Sequence, residues 1–299
     1  MRKPSAISRW FDRDRNFAYA ILVPSLLCIA AFAYYPALTS LRFSFLHYNV
    51  KAPNNVYFSG LADYLAVLQD PAFWTSVRLV LYFMVAGTVA VMLIALLIGL
   101  LINERFPGRR FIRAIVIIPW AIPPIVNGYL WKWIFDGDHG AFNGLLYQLG
   151  IIGQYQHWLI HPFVALNISM FTFVWRYVPF VSVLFLGALQ SIPDSLYEAA
   201  RVDGANVFQQ FLNVTLPAIY RIGGVALVLT LIASFGVFDE IYALMGFDES
   251  TRTPMMYNYQ VTFVNGQFGV GAAMAYLVGA AMLGLTIPYI RMSLREEKI

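Results

Sequence analysis

Six long apolar runs constrain the fold of this chain more than any other feature. The hydrocarbon core of a bilayer is about 30 Å thick, and a helix needs about 20 mostly apolar residues to cross it. Continuous runs of this length lack the alternation of a membrane β-barrel. We therefore predict an all-α, polytopic bundle of six transmembrane helices, at about residues 17–41, 79–103, 111–135, 162–187, 222–247 and 270–290.

Lysine and arginine set the predicted orientation, because cytoplasmic loops of membrane proteins are enriched in both. Most of the 20 lysines and arginines lie in the N-terminal segment, the turn after the second run, a polar stretch at 193–217 and the C-terminal tail. We expect a cytoplasmic basic N-terminus (1–16), a transmembrane domain (17–290) and a cytoplasmic tail (291–299). This topology accounts for the net charge of +4 without binding of nucleic acid.

Three segments are expected on the opposite side of the membrane, at 42–78, 136–161 and 248–268. In the first, Asp70-Pro71 predicts a turn into a short amphipathic piece from Phe73 to Arg78. In the second, the apolar positions of 142–149 predict a helix.

Small residues suggest how the sixth span packs. Gly271, Ala275 and Gly279 recur at four-residue spacing, which lets another helix approach closely.

Cys28, the only cysteine, is expected to be a small buried residue of the first span. A single cysteine also excludes an internal disulfide.

The sequence lacks the motifs of an enzyme. A P-loop requires a lysine after its glycine run, and none of the four lysines follows such a run. No serine, cysteine or histidine set predicts nucleophilic catalysis. His157 and His161 are spaced to share a helix face, but no third metal ligand is near, so packing is favoured. We expect a non-catalytic chain without a metal.

The polar stretch between the fourth and fifth runs predicts two short helices around a glycine. Ser195 and Glu198 have the spacing of a capping box, and Gly204 suits a left-handed C-terminal stop. Asn206 is a candidate N-cap of the second helix, which Pro217 is expected to end.

The second of these helices would present Phe208, Phe211 and Leu212 on one apolar underside. Such a unit is either a connector lying on the membrane surface or a knob that docks into a groove of a cytoplasmic partner. The residues alone leave both roles open.

Residues 198–217 resemble the coupling signature of permeases from binding-protein-dependent ABC importers; they read EAARVDGANVFQQFLNVTLP. Residues 187–197 and 117–146 resemble the carbohydrate branch of that family, the maltose and glycerol-3-phosphate type. The resemblance covers most of 80–290. It departs from the family at 246–248, which read GFD where Gly-Gly-Pro is common, and this leaves the shape of the third outer segment open.

The resemblance implies a division of labour in a bacterial inner membrane. This chain would pair with a second permease subunit in a heterodimer, and it would itself carry no cofactor. Two ATP-binding subunits would hold ATP and Mg²⁺, and a periplasmic or extracellular binding protein would deliver the solute. Coupling to the ATPase would fall to Glu198, Ala199, Ala200, Arg201, Asp203 and Gly204.

Charged residues inside spans are costly and usually functional. Arg176 lies about 20 Å from the predicted cytoplasmic end of its span, at 1.5 Å per residue. Arg176 and Asp239 are expected either to pair or to face the solute path. The other candidate path residues are aromatic or amide side chains, namely Trp175, Tyr177, Asn127, Trp131 and Asn167.

The main alternative function is an ion-coupled secondary transporter of a small polar solute. Such proteins carry carboxylates in several spans, whereas Asp239 and Glu240 are adjacent here. A membrane scaffold is a third possibility. We favour a permease subunit for a sugar, polyol or glycoside.

Overall fold

The computed structural model describes residues 14–295, and these residues are mostly helical. The prediction of an all-α fold is confirmed. The helices are, in chain order, α1 (Asp14–Ile29), α2 (Tyr35–Phe43), α3 (Ala62–Gln69), α4 (Pro71–Asn103), α5 (Arg109–Val116), α6 (Ile118–Ala121), α7 (Pro124–Ile134), α8 (Ala141–Gln148), α9 (Pro162–Gln190), α10 (Asp194–Val202), α11 (Val207–Gln210), α12 (Leu216–Phe235), α13 (Asp239–Met245), α14 (Pro254–Tyr259) and α15 (Phe268–Arg295).

The other described elements are short. π-helical turns occupy Ala30–Tyr34, Phe211–Thr215 and Gln260–Val264, and Trp158–Ile160 forms a 3₁₀ turn. The strands β1 (Leu46–His47) and β2 (Tyr57–Phe58) pair antiparallel.

Helices occupy all six predicted runs, although their lengths differ. Within 14–295, four helical stretches are long and apolar enough to cross a membrane: Ile21–Phe43, Pro71–Asn103, Pro162–Gln190 and Val207–Met245. A bent pair in the third run would be a fifth, and Phe268–Gly284 is a shorter apolar helix. Six spans with both termini in the cytoplasm remain a prediction, and the basic leader up to residue 13 and the last four residues of the tail lie outside the described residues.

The third run does not form the single continuous helix that was predicted. Arg109–Ala121 and Pro124–Ile134 meet at 95°. Ile122, at the bend, has an extended backbone with ψ 127°. Proline at 123 and 124 explains the break, since a residue before proline is disfavoured in the helical region and proline donates no helical hydrogen bond.

The second run begins earlier than predicted. The expected amphipathic piece from Phe73 to Arg78 is not separate, because α4 runs unbroken from Pro71. The Asp70 side chain accepts a bond from the Ala72 amide at 2.9 Å, and proline at the first helical position suits a helix start. Asp70-Pro71 is therefore a helix start rather than a turn between two pieces.

The described residues form two compact units, one with residues up to 69 and 261–277, the other with 70–260 and residues from 278. In the first unit, glycine is required at two positions of α15. A Cβ at Gly269 would overlap the carbonyl oxygen of Leu46, and a Cβ at Gly271 would overlap the Thr262 side chain. Gly271 thus fits the predicted close approach. Ala275, by contrast, is exposed.

The first helical stretch places its side chains on the outside of its unit. None of the Ile21–Phe43 window is buried, and Cys28 is exposed. The prediction of a buried cysteine is therefore wrong. An apolar exposed surface is expected where a helix faces lipid, since lipid does not penalise apolar contact.

The core of the second unit lies where α4, α9 and α12 pack together. Phe83 and Phe173 are buried, with ring centroids 5.5 Å apart. A Cβ at Gly99 would lie 3.0 Å from the Phe185 Cβ, so α4 and α9 approach closely there. This packing fixes the helix from which the polar stretch projects.

Asn143 organises the second outer segment, where α8 confirms the predicted helix. Its buried amide nitrogen donates to the carbonyls of Asp136 (3.0 Å) and Gln156 (2.9 Å), and its oxygen accepts from Trp158 Nε1 (2.9 Å). His157 precedes the 3₁₀ turn and His161 precedes α9. The two histidines therefore share no helix face, and the metal geometry considered for them does not form.

The third outer segment is braced against the start of α4. The Tyr257 hydroxyl donates to the Asp70 carboxylate, and the buried guanidinium of Arg252 lies 4.4 Å from the Tyr257 ring centroid. Burial, followed by the bond to Asp70, raises the pKa of Tyr257 to about 12. Thr253 Oγ1 donates to the Val237 carbonyl at 3.1 Å, which ties this segment to the break between α12 and α13.

Candidate coupling hairpin and intramembrane polar cluster

The first helix of the polar stretch, α10, begins at Asp194 after Pro193. Within the described residues no side chain caps it, so the predicted capping box of Ser195 and Glu198 is wrong. Pro193 takes the N-cap position, which places Ser195 inside the first turn. Asp194 there suits the positive end of the helix dipole.

The predicted glycine stop of α10 is confirmed. Gly204 has φ 80°, and its amide donates to the Arg201 carbonyl at 3.1 Å. The Ala205 amide donates to the Ala200 carbonyl at 2.9 Å. These two bonds are the pattern of a Schellman motif, in which a left-handed residue satisfies the last carbonyls of a helix.

The second helix, α11, starts as predicted but does not end as predicted. Asn206 and Gln209 form a reciprocal capping box, with both bonds at 2.9 Å. Pro217 does not end the helix, because the chain continues through the π turn Phe211–Thr215 into α12. Pro217 lies in the first turn of α12, directly after this π turn.

We name residues 194–210 the coupling hairpin after its expected role, and its tip is apolar and exposed. Val202, Val207 and Phe208 are 88%, 83% and 68% exposed. Phe208 and Leu212 of the predicted apolar underside are exposed, at 68% and 41%, so this face is free to meet a membrane surface or a partner. Valines on either side of the Asp-Gly-Ala-Asn turn are the sequence signal for this tip.

The hairpin residues assigned to coupling lie on the surface as a group. Glu198, Ala199, Arg201, Asp203 and Gly204 are exposed, and Ala200 is partly buried. The opposite side of the hairpin is anchored, because the Tyr197 and Thr215 hydroxyls bond at 2.9 Å. The arrangement offers a small-residue helix and an apolar tip to another surface.

A second polar site lies deep in the apolar helices, around Arg176. Its Nε lies 2.7 Å from Glu240 Oε1, and the side chains are only 13% and 3% exposed. The predicted pairing with Asp239 is wrong, since Asp239 is exposed. The fifth run breaks after Phe235, and α13 begins at Asp239. Because of this break, Glu240 rather than Asp239 faces Arg176.

Gly128 of α7 lets the backbone of α13 approach closely beside this ion pair, a role that the sequence did not indicate. A Cβ there would lie 2.5 Å from the Ala243 Cβ and 2.8 Å from the Glu240 carbonyl oxygen. α7 and α13 are thus in backbone contact beside Glu240.

Three of the predicted path residues meet near this pair. Trp131 packs against Trp175, with ring centroids 5.4 Å apart. Asn127 is fully buried and donates to the Thr172 carbonyl at 3.1 Å. Among the described residues, neither Asn127 Oδ1 nor Trp131 Nε1 has a hydrogen-bond partner, and both atoms are buried.

The other two path candidates are engaged elsewhere. Tyr177 stacks on Phe173 and donates to the Leu229 carbonyl at 3.2 Å. Asn167 accepts from the Tyr82 hydroxyl at 2.9 Å and lies about 13 Å along α9 from Arg176, at 1.5 Å per residue. The structure therefore does not bring Asn167 into the Arg176 cluster.

Comparisons with known proteins agree with this architecture. The chain is 34% identical to the trehalose/maltose transport system permease protein MalF of Thermococcus litoralis over 93% of this chain and 94% of the relative. It is 31% identical to the sulfoquinovosyl glycerol transport system permease protein SmoG of Agrobacterium fabrum over 95% and 92%.

A solved bacterial ABC transporter, involved in the import of the acidic polysaccharide alginate, shares the fold. Its matched chain has a TM-score of 0.83 at 24% identity, with 97% of this chain and 99% of that chain covered. Residues 91–293 match a family described as the binding-protein-dependent transport system inner membrane component. This match supports an importer permease and excludes the alternative of an ion-coupled transporter. The chain belongs to this family of inner membrane transport components.

Proposed function

We propose that this chain is the permease subunit of an ATP-driven importer for a sugar, polyol or glycoside, and that it forms half of the translocation path. The observation that carries the proposal is the exposed coupling hairpin with its apolar tip, Val202, Val207 and Phe208. Exposed apolar groups on an ordered projection are typical of a protein interface. A helix that inserts into a partner groove uses such side chains as anchors.

The partners follow from this division of work. Two ATP-binding subunits would hold ATP and Mg²⁺ and receive the hairpin, a second permease subunit would complete the path, and a binding protein would deliver the solute. On this chain, the Schellman stop at Gly204 fixes the angle between α10 and α11. Glu198 and Arg201 surround the tip with charges that orient it. The isolated chain is expected to hydrolyse no ATP.

The polar cluster favours a neutral solute with hydroxyl groups. Arg176 and Glu240 neutralise each other at 2.7 Å, which leaves little charge to bind an anion. Trp131 and Trp175 offer aromatic surface, and Asn127 Oδ1 is a buried acceptor without a partner beside them. Binding sites for small molecules combine apolar walls with a few placed polar groups in this way. The names of the two relatives, for trehalose/maltose and for sulfoquinovosyl glycerol, support the same class of solute.

Reconstitution of the complete complex tests the proposal. The chain is coexpressed with its second permease, ATP-binding subunit and binding protein, and vesicles are assayed for uptake of trehalose, maltose and glycosyl glycerols. ATP-dependent uptake of at least one is expected. Uptake of none of them, by a complex that hydrolyses ATP, would refute the solute class.

A charge at the hairpin tip tests the docking role. Val202→Asp should weaken binding of the ATP-binding subunit by about 2 kcal/mol or more, the loss typical of an interface hot spot. Less of that subunit should then copurify. Ile151→Asp is the matched control, because Ile151 is also exposed but lies in the second outer segment. Equal copurification of the two variants would contradict the docking role.

A further inference from the structure

Arg113 of α5 binds the ends of two other helices. Its Nε and Nη2 donate to the Ile102 carbonyl at 3.0 and 2.7 Å. With the Gln190 amide oxygen turned toward the guanidinium, Nη1 and Nη2 donate to that oxygen at 3.1 and 3.0 Å. One partly buried side chain therefore joins α5 to the ends of α4 and α9.

These contacts suit arginine in particular. α4 ends at Asn103 and α9 ends at Gln190. The Ile102 carbonyl is among the last of α4, and the last carbonyls of a helix have no intrahelical donor and carry partial negative charge. Gln190 contributes its side-chain oxygen instead. Arginine supplies several donors in one plane, whereas lysine supplies a compact point charge. A lysine at 113 would therefore hold one of the two helix ends but not both in the same geometry.

The end of α9 leads directly into the coupling hairpin, since α10 begins at Asp194. Arg105 also reaches the hairpin, with Nη2 2.9 Å from Asp194 Oδ2, but both side chains are mostly exposed. Exposed ion pairs contribute little because water and salt screen them. Arg113 is thus the firmer of the two arginine contacts at the base of the hairpin.

The helical stretch that carries Arg113 is attached to α9 a second time. Arg109–Ala121 continues to the 95° bend, and Trp120 stacks on Phe180 of α9 with centroids 5.3 Å apart. Beyond the bend, α7 carries Gly128, which lies against the Glu240 backbone. A continuous set of packed elements thus connects the base of the hairpin with the Arg176–Glu240 pair.

We infer that Arg113 is a positioning residue for energy coupling. It locks the end of α9 to the bent third run, so that a displacement of the hairpin by the ATP-binding subunits also moves α7 and the polar cluster. The inference rests on the proposed function. Without the guanidinium, the hairpin moves without the third run, and ATP hydrolysis continues while uptake falls.

Three variants of the complete importer complex test this role in vesicles: Arg113→Met, Arg113→Lys and the control Arg110→Met. Arg110 lies on the same helix, its side chain is exposed, and the control removes the same charge. The readouts are assembled complex, ATP hydrolysis, and uptake of trehalose or maltose. Arg113→Met should assemble and lower the uptake per ATP about fivefold, within the range for residues that link two sites. The uptake per ATP of Arg113→Lys should lie between those of Arg113→Met and the wild type. Arg110→Met should keep the wild-type uptake per ATP.

The uptake per ATP separates coupling from a merely structural role, which would lower the assembled complex and both rates in proportion. An unchanged ratio in Arg113→Met overturns the inference. If that variant does not assemble, Gln190→Ala, which removes one acceptor, replaces it: a lowered ratio supports the inference, and an unchanged ratio overturns it. Two other results would contradict the proposed function instead: no sugar uptake by the wild-type complex, and unchanged copurification of the ATP-binding subunit in Val202→Asp.

Discussion

Replacement of Gly128 by alanine should destabilise the chain by a calculable clash. The new Cβ would lie 2.5 Å from the Ala243 Cβ, whereas carbon atoms prefer a separation of about 3.5–4.0 Å. α7 and α13 must then move apart by about 1 Å or more. Overpacking of this kind typically costs about 1–3 kcal/mol. The same movement displaces the backbone of Glu240 and strains its bond to Arg176.

The assay is thermal unfolding of the purified chain in detergent, with Gly187→Ala as the matched control. Gly187 is exposed in the last turn of α9, and no described heavy atom lies within 4 Å of a Cβ there. Alanine is favoured over glycine inside a helix, so the control should be neutral or stabilising. At roughly 2–4 °C per kcal/mol for a chain of similar size, Gly128→Ala should lower the Tm by about 5 °C. Equal Tm values for the two variants would refute the close contact between α7 and α13.

The remaining predictions concern the ion pair, the glycine stop and the outer brace. Arg176→Met or Glu240→Leu alone should lower the free energy of unfolding by about 3–5 kcal/mol, because a lone buried charge remains, while the double variant should recover most of it; additive losses in thermal unfolding would contradict this. Gly204→Leu forces a side chain into φ 80° and should cost about 1 kcal/mol or more, with reduced copurification of the ATP-binding subunit; wild-type copurification and uptake would show that the hairpin is only a connector. For Tyr257, the folded pKa of about 12 exceeds the ordinary tyrosine pKa of 10.0, so its contribution to stability is complete below pH 10 and is lost as the pH rises toward 12. The phenolate absorbance of wild type minus Tyr257→Phe should titrate near pH 12, and a midpoint near 10 would exclude the bond to Asp70.

The features that sequence predicted well are those set by local or one-dimensional physics. The length of the apolar runs reflects the thickness of the bilayer, and every run contains a helix. The stop at Gly204 was also predictable, since a left-handed residue after a short helix nearly always requires glycine or asparagine. These signals depend on neighbouring residues alone.

The errors occur where distant residues or a change of register decide the outcome. Arg176 pairs with Glu240 rather than Asp239 because the break after Phe235 resets which side chain faces α9. The space required at Gly128 depends on α13, more than 100 residues later. The bend at Pro123 did have a local signal, but the apolar run concealed it.

Cys28 provides a means of counting subunits. It is the only cysteine of the chain and is exposed, so a thiol-directed spin label reacts once per copy without prior mutagenesis. In a purified importer, two copies of this chain would give a measurable distance between two labels. A single copy beside a different permease, itself free of reactive thiols, would give none. The one reactive sulfur of the first helix thus distinguishes a pair of identical permeases from a pair of different ones.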